Sequence, residues 1–403
     1  MRIGAIATAV VAVLFGIIGS ATVADRTNSL GNAGDAAAQL TRLEAVRTAV
    51  VEADSLAASA YLSGGLEPPG RRETYEARLA SAQSGLVDVS GSAIANESVA
   101  LGGVGSALTT ASGLVEQARA NSRQGFPVGA AYQRQASALV RSDVLPALDE
   151  IAAATATRTT DEVEGGTASQ LYLWLAGLAA LAALALGTVW LSGLTKRTVN
   201  IGLAIATLTV FGFTAFASSV MASSGSTAND TVKGPYAAAT AFAQARTAAF
   251  DAKSNEALTL IARGNGAAFE ERWVEQADEA TRQLDIAAGL DPSAGRDAAD
   301  AWASYRADHE AIRAFDDEGK YDEAVVAALA IGATDDGTAA PDGFATFDTE
   351  SRSGLEVAAI TVNSRLADAD EALAIHRWLI LFAGLFAAGA AYGGFTRRIQ
   401  EYR

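Results

Sequence analysis

The 403-residue sequence predicts an all-α membrane protein with four transmembrane helices and two tandem extracytoplasmic four-helix bundles. Three observations carry that expectation. Four uncharged apolar runs are each long enough to cross a bilayer, basic residues gather in the short segments that flank them, and one segment occurs twice.

Composition points the same way. Half of the residues are hydrophobic and 19% are charged, below the ~25% usual for soluble domains, and the mean hydropathy is positive. There is no cysteine, which excludes a disulfide framework, a thiolate metal site and a cysteine nucleophile.

In chain order, residues 3–24 form the first span, 25–170 the first outer segment and 171–194 the second span. Residues 195–198 make a cytoplasmic loop, 199–222 the third span, 223–377 the second outer segment, 378–395 the fourth span and 396–403 a cytoplasmic tail. A cleaved signal peptide ending at Thr22-Val23-Ala24 is the alternative for the first run. Its length beyond the usual ~7–15-residue apolar core, and the uncleaved counterpart in the second half, favour a span.

Arg2, Lys196, Arg197, Arg397, Arg398 and Arg403 all fall in the short segments and are opposed only by Glu401. This places the N and C termini in the cytoplasm of a multi-pass cell-membrane protein. Those segments carry +5; with −16 for the whole chain, the remainder carries −21, all in the two long segments. Trp174, Trp190 and Trp378 sit near span ends, where aromatic rings anchor at the interface.

The duplicated segment is VRTAVVEAD at 46–54 against ARTAAFDAK at 245–253, extended by YLSGG at 61–65 against LIARG at 260–264. Each copy reads span, outer segment, span. Both start in the cytoplasm, so the copies are parallel rather than inverted.

Within the outer segments apolar residues recur at helical spacing: Phe344, Phe347, Ser351, Leu355, Ala358, Val362, Leu366, Ala369 and Leu373 step by three or four. Trp302, Tyr305, His309 and Ile312 mark a preceding helix. Breaks fall at 64–70, 89–96 and 121–129 in the first segment and at 264–266, 290–293 and 316–343 in the second, which gives four helices each. Gly165-Gly166 reads as a helix end or a hinge where the first outer segment meets its span.

The chemistry of an enzyme is not supplied. His309 lies on a helical stripe and His376 at the mouth of the fourth span beside Arg377, while the runs 316–318 and 335–336 lack the ligand spacing of a calcium loop. No P-loop or dinucleotide fingerprint is present, so neither cofactor nor metal is expected. The acidic outer segments disfavour nucleic acid, and membrane lipid is the medium of the spans. No Asp, Glu, Lys or Arg lies within a span, which argues against a transport pathway. Gly16-xxx-Ser20 and Gly389-xxx-Gly393 permit close helix approach, including between copies of the chain.

Arg47 and Arg246 occupy matching places in the two copies. Each is a candidate for holding a carboxylate through its planar fork, against an ordinary salt bridge on the bundle. Loop residues offer a partner-binding tip: Glu67, Arg71, Arg72 and Phe126 in the first segment, Asp316, Asp317, Lys320 and Tyr321 in the second. Lys196, Arg197, Arg397 and Arg398 are the cytoplasmic output.

The four spans, the tandem outer bundles and the repeated Arg-Thr-Ala segment resemble the actinobacterial GlnX family. The bundles are also similar to chemoreceptor ligand-binding domains, although no cytoplasmic signalling module follows Arg398. The resemblance implies a non-enzymatic sensor or adaptor, with an extracytoplasmic solute-binding lipoprotein (GlnH-like) and a cytosolic Ser/Thr protein kinase (PknG-like) as partners. The alternatives are a structural or assembly protein of the cell envelope and an accessory subunit of a transporter.

Overall fold

A computed structural model describes residues 2–63, 69–195, 200–329 and 343–401. Among them every regular element is helical. The helices are α1 (Arg2–Leu62), α2 (Pro69–Ser92), α3 (Ala95–Arg123), α4 (Val128–Leu139), α5 (Leu145–Glu164), α6 (Gly166–Thr195), α7 (Ile201–Thr231), α8 (Ala237–Ile261), α9 (Ala267–Leu290), α10 (Ala294–Asp317), α11 (Tyr321–Ala328), α12 (Gly343–Ala374) and α13 (His376–Glu401). One π-helical turn, Val140–Val144, joins α4 to α5 and another, Val232–Tyr236, joins α7 to α8.

Of the expected breaks, those at 89–96, 121–129, 264–266 and 290–293 fall between helices, while 64–68 and 330–342 lie outside the described residues. Gly264 and Gly125 take positive φ of 83° and 72°, a conformation that costs glycine little. Asp291 accepts from the backbone N–H groups of Ser293 and Ala294 to start α10. The break expected across 316–343 contains the additional helix α11; Asp322 and Glu323 sit in its first turn and Ala324 and Ala328 are buried on one face. Gly165 is a one-residue turn whose N–H donates to the Asp161 carbonyl, so α5 ends and α6 begins at once.

The chain divides into two compact units. The first is built from the described residues of Met1–Ala36, Thr157–Val232 and Val362–Arg403; the second from those of Ala37–Ala156 and Lys233–Thr361.

In the first unit the interior is small and regular: Ala12, Phe15, Ala180, Leu184, Ala206, Val210, Ala387 and Phe395 are buried. The outward faces carry Ile6, Val10, Ile17, Leu175, Leu186, Leu208, Phe211, Phe382 and Phe386, all exposed. A unit that is apolar on its outside matches a lipid surround rather than water. Close backbone approach replaces side-chain interlock: a Cβ on Gly384 would stand 2.5 Å from Gly16 Cα, and one on Gly202 would stand 2.6 Å from Gly394 Cα. Gly389 and Gly393 meet nothing within 4 Å, so Gly16, of the glycines singled out above, is the one in a close packing. Gly384→Leu is therefore expected to cost about 1–3 kcal/mol through overpacking, read as a lower melting temperature of the detergent-solubilised chain; an unchanged melt would count against the α1–α13 contact.

Polar groups in this unit satisfy themselves locally. Arg26 is buried and donates through Nη1 to the Val163 carbonyl at 2.9 Å, closing an orphan group at the end of α5. Asn200 caps α7 by accepting from the Gly202 and Leu203 N–H groups, and its amide donates to the Gly394 carbonyl.

Among the described residues, five helices are long and apolar enough to cross a membrane, by length and composition. Four contain the runs named above. The fifth, Glu97–Arg123, belongs to the second unit, where Leu101, Val104, Leu108 and Ala111 pack with Val46, Val50, Leu86, Val140 and Ile151. Those four residues are buried in that core, while Val99 on the same helix is exposed.

The second unit gathers both repeats around α8. Nearly every α8 side chain is buried, including Arg246, Asp251 and Glu256. An aromatic core of Trp273, Trp302, Tyr305, Phe344 and Phe347 lies on one side of it and also takes in Val51 from the first repeat. Farther along, Ala58 and Leu62 pack with Leu258, Ile261 and Ile312. Two of these clusters thus draw on both outer segments, beside the cluster around Leu101 and Leu108, which the first segment buries by itself.

Candidate functional site

Burial of α8 on all sides forces its ionisable residues to find partners, because an unpaired charge there would cost several kcal/mol. Arg246 Nη2 lies 2.6 Å from Asp348 Oδ1, and its Nη1 donates to the Asp348 carbonyl and to Ser351 Oγ. Even so, burial pulls Arg246 below the ordinary arginine value, with Asp348 opposing the shift.

Arg47, its counterpart in the first repeat, lines a cavity of about 390 Å³ in the second unit, with Glu44, Asp149, Gln244, Gln276 and Glu279 among the other walls. Arg47 Nη1 donates to Glu44 Oε2 at 3.3 Å, and Nε lies 2.7 Å from Asp149 Oδ1 without the alignment of a hydrogen bond. Burial raises the Glu44 carboxyl above the usual carboxylate range, with Arg47 pulling the other way. One guanidinium among three carboxylates suits a cationic or hydrogen-bond-donating group better than a second carboxylate.

Arg141, which no sequence motif marks, is the cation at the junction of the repeats. It stands on the π-turn after α4, where Nε donates to Asp251 Oδ1 at 2.7 Å and Nη2 donates to Asp54 Oδ2 at 3.3 Å and Ser254 Oγ at 3.0 Å. Ser137 and Ser254 also donate to Asp54, at 2.5 and 2.7 Å. Burial works against the charged guanidinium, but Asp54 and Asp251 outweigh it and hold Arg141 above its ordinary value. This network joins α1, the α4–α5 turn and α8, and so ties one repeat to the other.

His309 anchors a second network. Its ring stacks on Trp273 at 3.5 Å between centroids, Nδ1 lies 2.8 Å from Glu256 Oε2 and Nε2 lies 3.1 Å from Glu270 Oε1. Tyr305 donates to Glu256 at 3.0 Å and Lys253 to Glu256 at 2.7 Å. Among the described residues no His, Asp or Glu cluster has the arrangement of a metal site.

Of the expected tip residues, Arg71 reaches the other segment. Arg71 donates to the Leu329 carbonyl just past α11, linking the first repeat to the second, and Arg263 lies over the Tyr321 ring at 4.6 Å. Arg72 pairs with Glu76 and Glu116, Asp316 and Asp317 both pair with Arg313, and Lys320 pairs with Glu318. Phe126 is exposed. Glu67, Lys196 and Arg197 lie outside the described residues, Arg397 is exposed near the end of α13, and Arg398 follows it on that helix.

Residues 29–164 match the family model of an actinobacterial sensor domain. The matched segment starts within α1 and stops on the last residue of α5. No curated protein and no solved structure matches the chain.

Proposed function

We propose that the chain is a transmembrane sensor or adaptor that relays an extracytoplasmic signal to a cytosolic partner without catalysing a reaction itself. The observation that carries this reading is the placement of the sensor-domain match. It is bounded by α1, whose N-terminal part is the apolar run 3–24, and by α5, which α6 and its apolar run 171–194 follow across a single turn residue. A signal that alters packing between these helices acts on the same helices that carry the apolar runs, provided the ligand or partner binds the two packings unequally.

In this reading there are four spans, with both termini cytoplasmic. The distribution of basic residues supports that orientation. The tip residues would receive a solute-binding lipoprotein of the GlnH kind, amino-acid availability would be the signal, and Lys196, Arg197, Arg397 and Arg398 would present the output to a kinase of the PknG kind. The resemblance to the GlnX family supports those partners, and the clustering of Arg71, Leu329, Arg263 and Tyr321 supports a shared tip.

Purification of the intact chain in mild detergent tests the reading. Recovery of a solute-binding lipoprotein together with a Ser/Thr kinase is the expected result. Recovery of an ATPase and a permease would replace it with a transporter subunit, and recovery of envelope-synthesis proteins alone would replace it with an assembly role.

A further inference from the structure

Arg134, Arg141, Ser142, Asn255, Phe269 and Arg272 surround another cavity of the second unit, about 330 Å³ in volume. That is the lower end of the range for small-molecule pockets. Its walls come from both repeats: α4 and the π-turn on one side, α8 and α9 on the other. Three guanidinium groups converge here, although the outer segments as a whole are strongly acidic.

Two of those cations have no direct partner, although the charge of Arg272 also acts on Asp251 and that of Arg134 on Tyr61. Arg134 and Arg272 make no ion pair or hydrogen bond among the described residues. Arg141 is committed through Nε and Nη2 only, and its Nη1 makes no hydrogen bond among the described residues. Asp54 and Asp251 hold that guanidinium in place, which fixes the direction of its remaining donor.

Asn255 supplies the complementary group. It is fully buried, and its Nδ2 donates to the Asp251 carbonyl at 2.7 Å and to Asp251 Oδ1 at 3.2 Å. Two acceptors on Asp251 fix the amide orientation, so Oδ1 faces away from them, and it accepts no hydrogen bond. A buried acceptor in that state calls for a donor from whatever fills the cavity. The π-turn that carries Arg141 belongs to a class of helix irregularity frequent at functional sites.

We propose that this cavity binds a small carboxylate that bears a hydroxyl or amino group on the neighbouring carbon. The carboxylate lies among Arg134, Arg272 and Nη1 of Arg141, the neighbouring group donates to Asn255 Oδ1, and Phe269 covers the apolar remainder. The inference rests on the sensor reading and deepens it: the second unit would itself receive a ligand, at a place where α4 and the π-turn of one repeat face α8 and α9 of the other.

Calorimetry on the full chain in lipid nanodiscs tests this, with lactate, 2-hydroxyisocaproate and the standard L-amino acids as probes. At least one is expected to bind with a Kd below about 1 mM. Its amide, which lacks the carboxylate, and its analogue without the hydroxyl or amino group should each bind at least about tenfold more weakly, the scale of one charge-assisted hydrogen bond. Which probes bind distinguishes a hydroxy acid from an amino acid. Arg272→Ala and Arg134→Ala remove no hydrogen bond of the Arg141 network and should also weaken binding at least about tenfold.

Absence of binding by every probe, or binding that both substitutions leave unchanged, overturns the site. Recovery of the lipoprotein and kinase with the Arg134→Ala, Arg272→Ala double variant, together with no binding of any probe by the wild-type chain, would remove this site while leaving the adaptor reading in place. Binding without either partner would remove the adaptor reading alone.

Discussion

Arg141→Met is expected to lower the stability of the second unit by about 3–5 kcal/mol, the cost of leaving buried charges without their partner. Asp54 and Asp251 are both largely buried. Ser137 and Ser254 stay bound to Asp54, and Asn255 to Asp251, but no other cation forms an ion pair with either carboxylate among the described residues. At roughly 2–4 °C per kcal/mol for a unit of this size, the melting temperature of the solubilised chain should fall by roughly 6–20 °C. Adding Asp54→Asn and Asp251→Asn to Arg141→Met removes the stranded charges and should recover most of the loss. A single variant that melts within a degree or two of wild type would show that the two repeats are not held together by this network.

The same network explains which parts of the molecule were legible in the sequence. Helix breaks were, because they are local: Gly264, Asp291 and Gly125 terminate or start helices through their own backbone preferences or side-chain bonds. The apolar runs were legible for the same reason, since length and lack of charge suffice. The clusters drawn from both segments were not. Periodicity reports one buried face, whereas α8 is buried all round, so that Arg246, Asp251, Lys253 and Glu256 read as surface residues on an alanine-rich helix.

Partners distant in sequence add to the difficulty. Arg141 meets Asp54 across 87 residues and Asp251 across 110, and no local spacing encodes either pair. The repeat did point to residue 251, as the counterpart of Glu52, but Glu52 pairs with Arg78 within its own repeat. Matching positions in the two copies have therefore taken different partners, as Arg47 and Arg246 also have. An ionisable residue inside an apolar, alanine-rich stretch was the available signal that such partners exist.

The His309 network gives the second large effect, and its dependence on pH has a definite sign. Both ring nitrogens face carboxylate oxygens, which only accept, so both must carry protons and the ring is an imidazolium. Burial opposes that charge, but hydrogen bonds to Glu256 and Glu270, with their charges, outweigh it and hold His309 above the ordinary histidine value of 6.5. A raised folded-state value contributes stability that is fully present below the unfolded value and is lost as pH rises through the folded one. Burial likewise opposes ionisation of Glu256, yet Lys253 and His309 hold it below the ordinary glutamate value of 4.5, so its contribution fades only as pH falls below that point. The wild-type chain should then be least dependent on this network's titration between about 4.5 and 6.5 and should lose stability as pH climbs above about 6.5. Glu256→Gln leaves Lys253 and the imidazolium facing a neutral amide in a buried site and should cost about 3–5 kcal/mol near pH 6. His309→Gln removes the titrating group, so its melting temperature should stay flat over the alkaline range while that of wild type declines, and the gap between the two should narrow with pH. Equal slopes for wild type and His309→Gln would show that His309 does not carry the charge that its two carboxylate partners require.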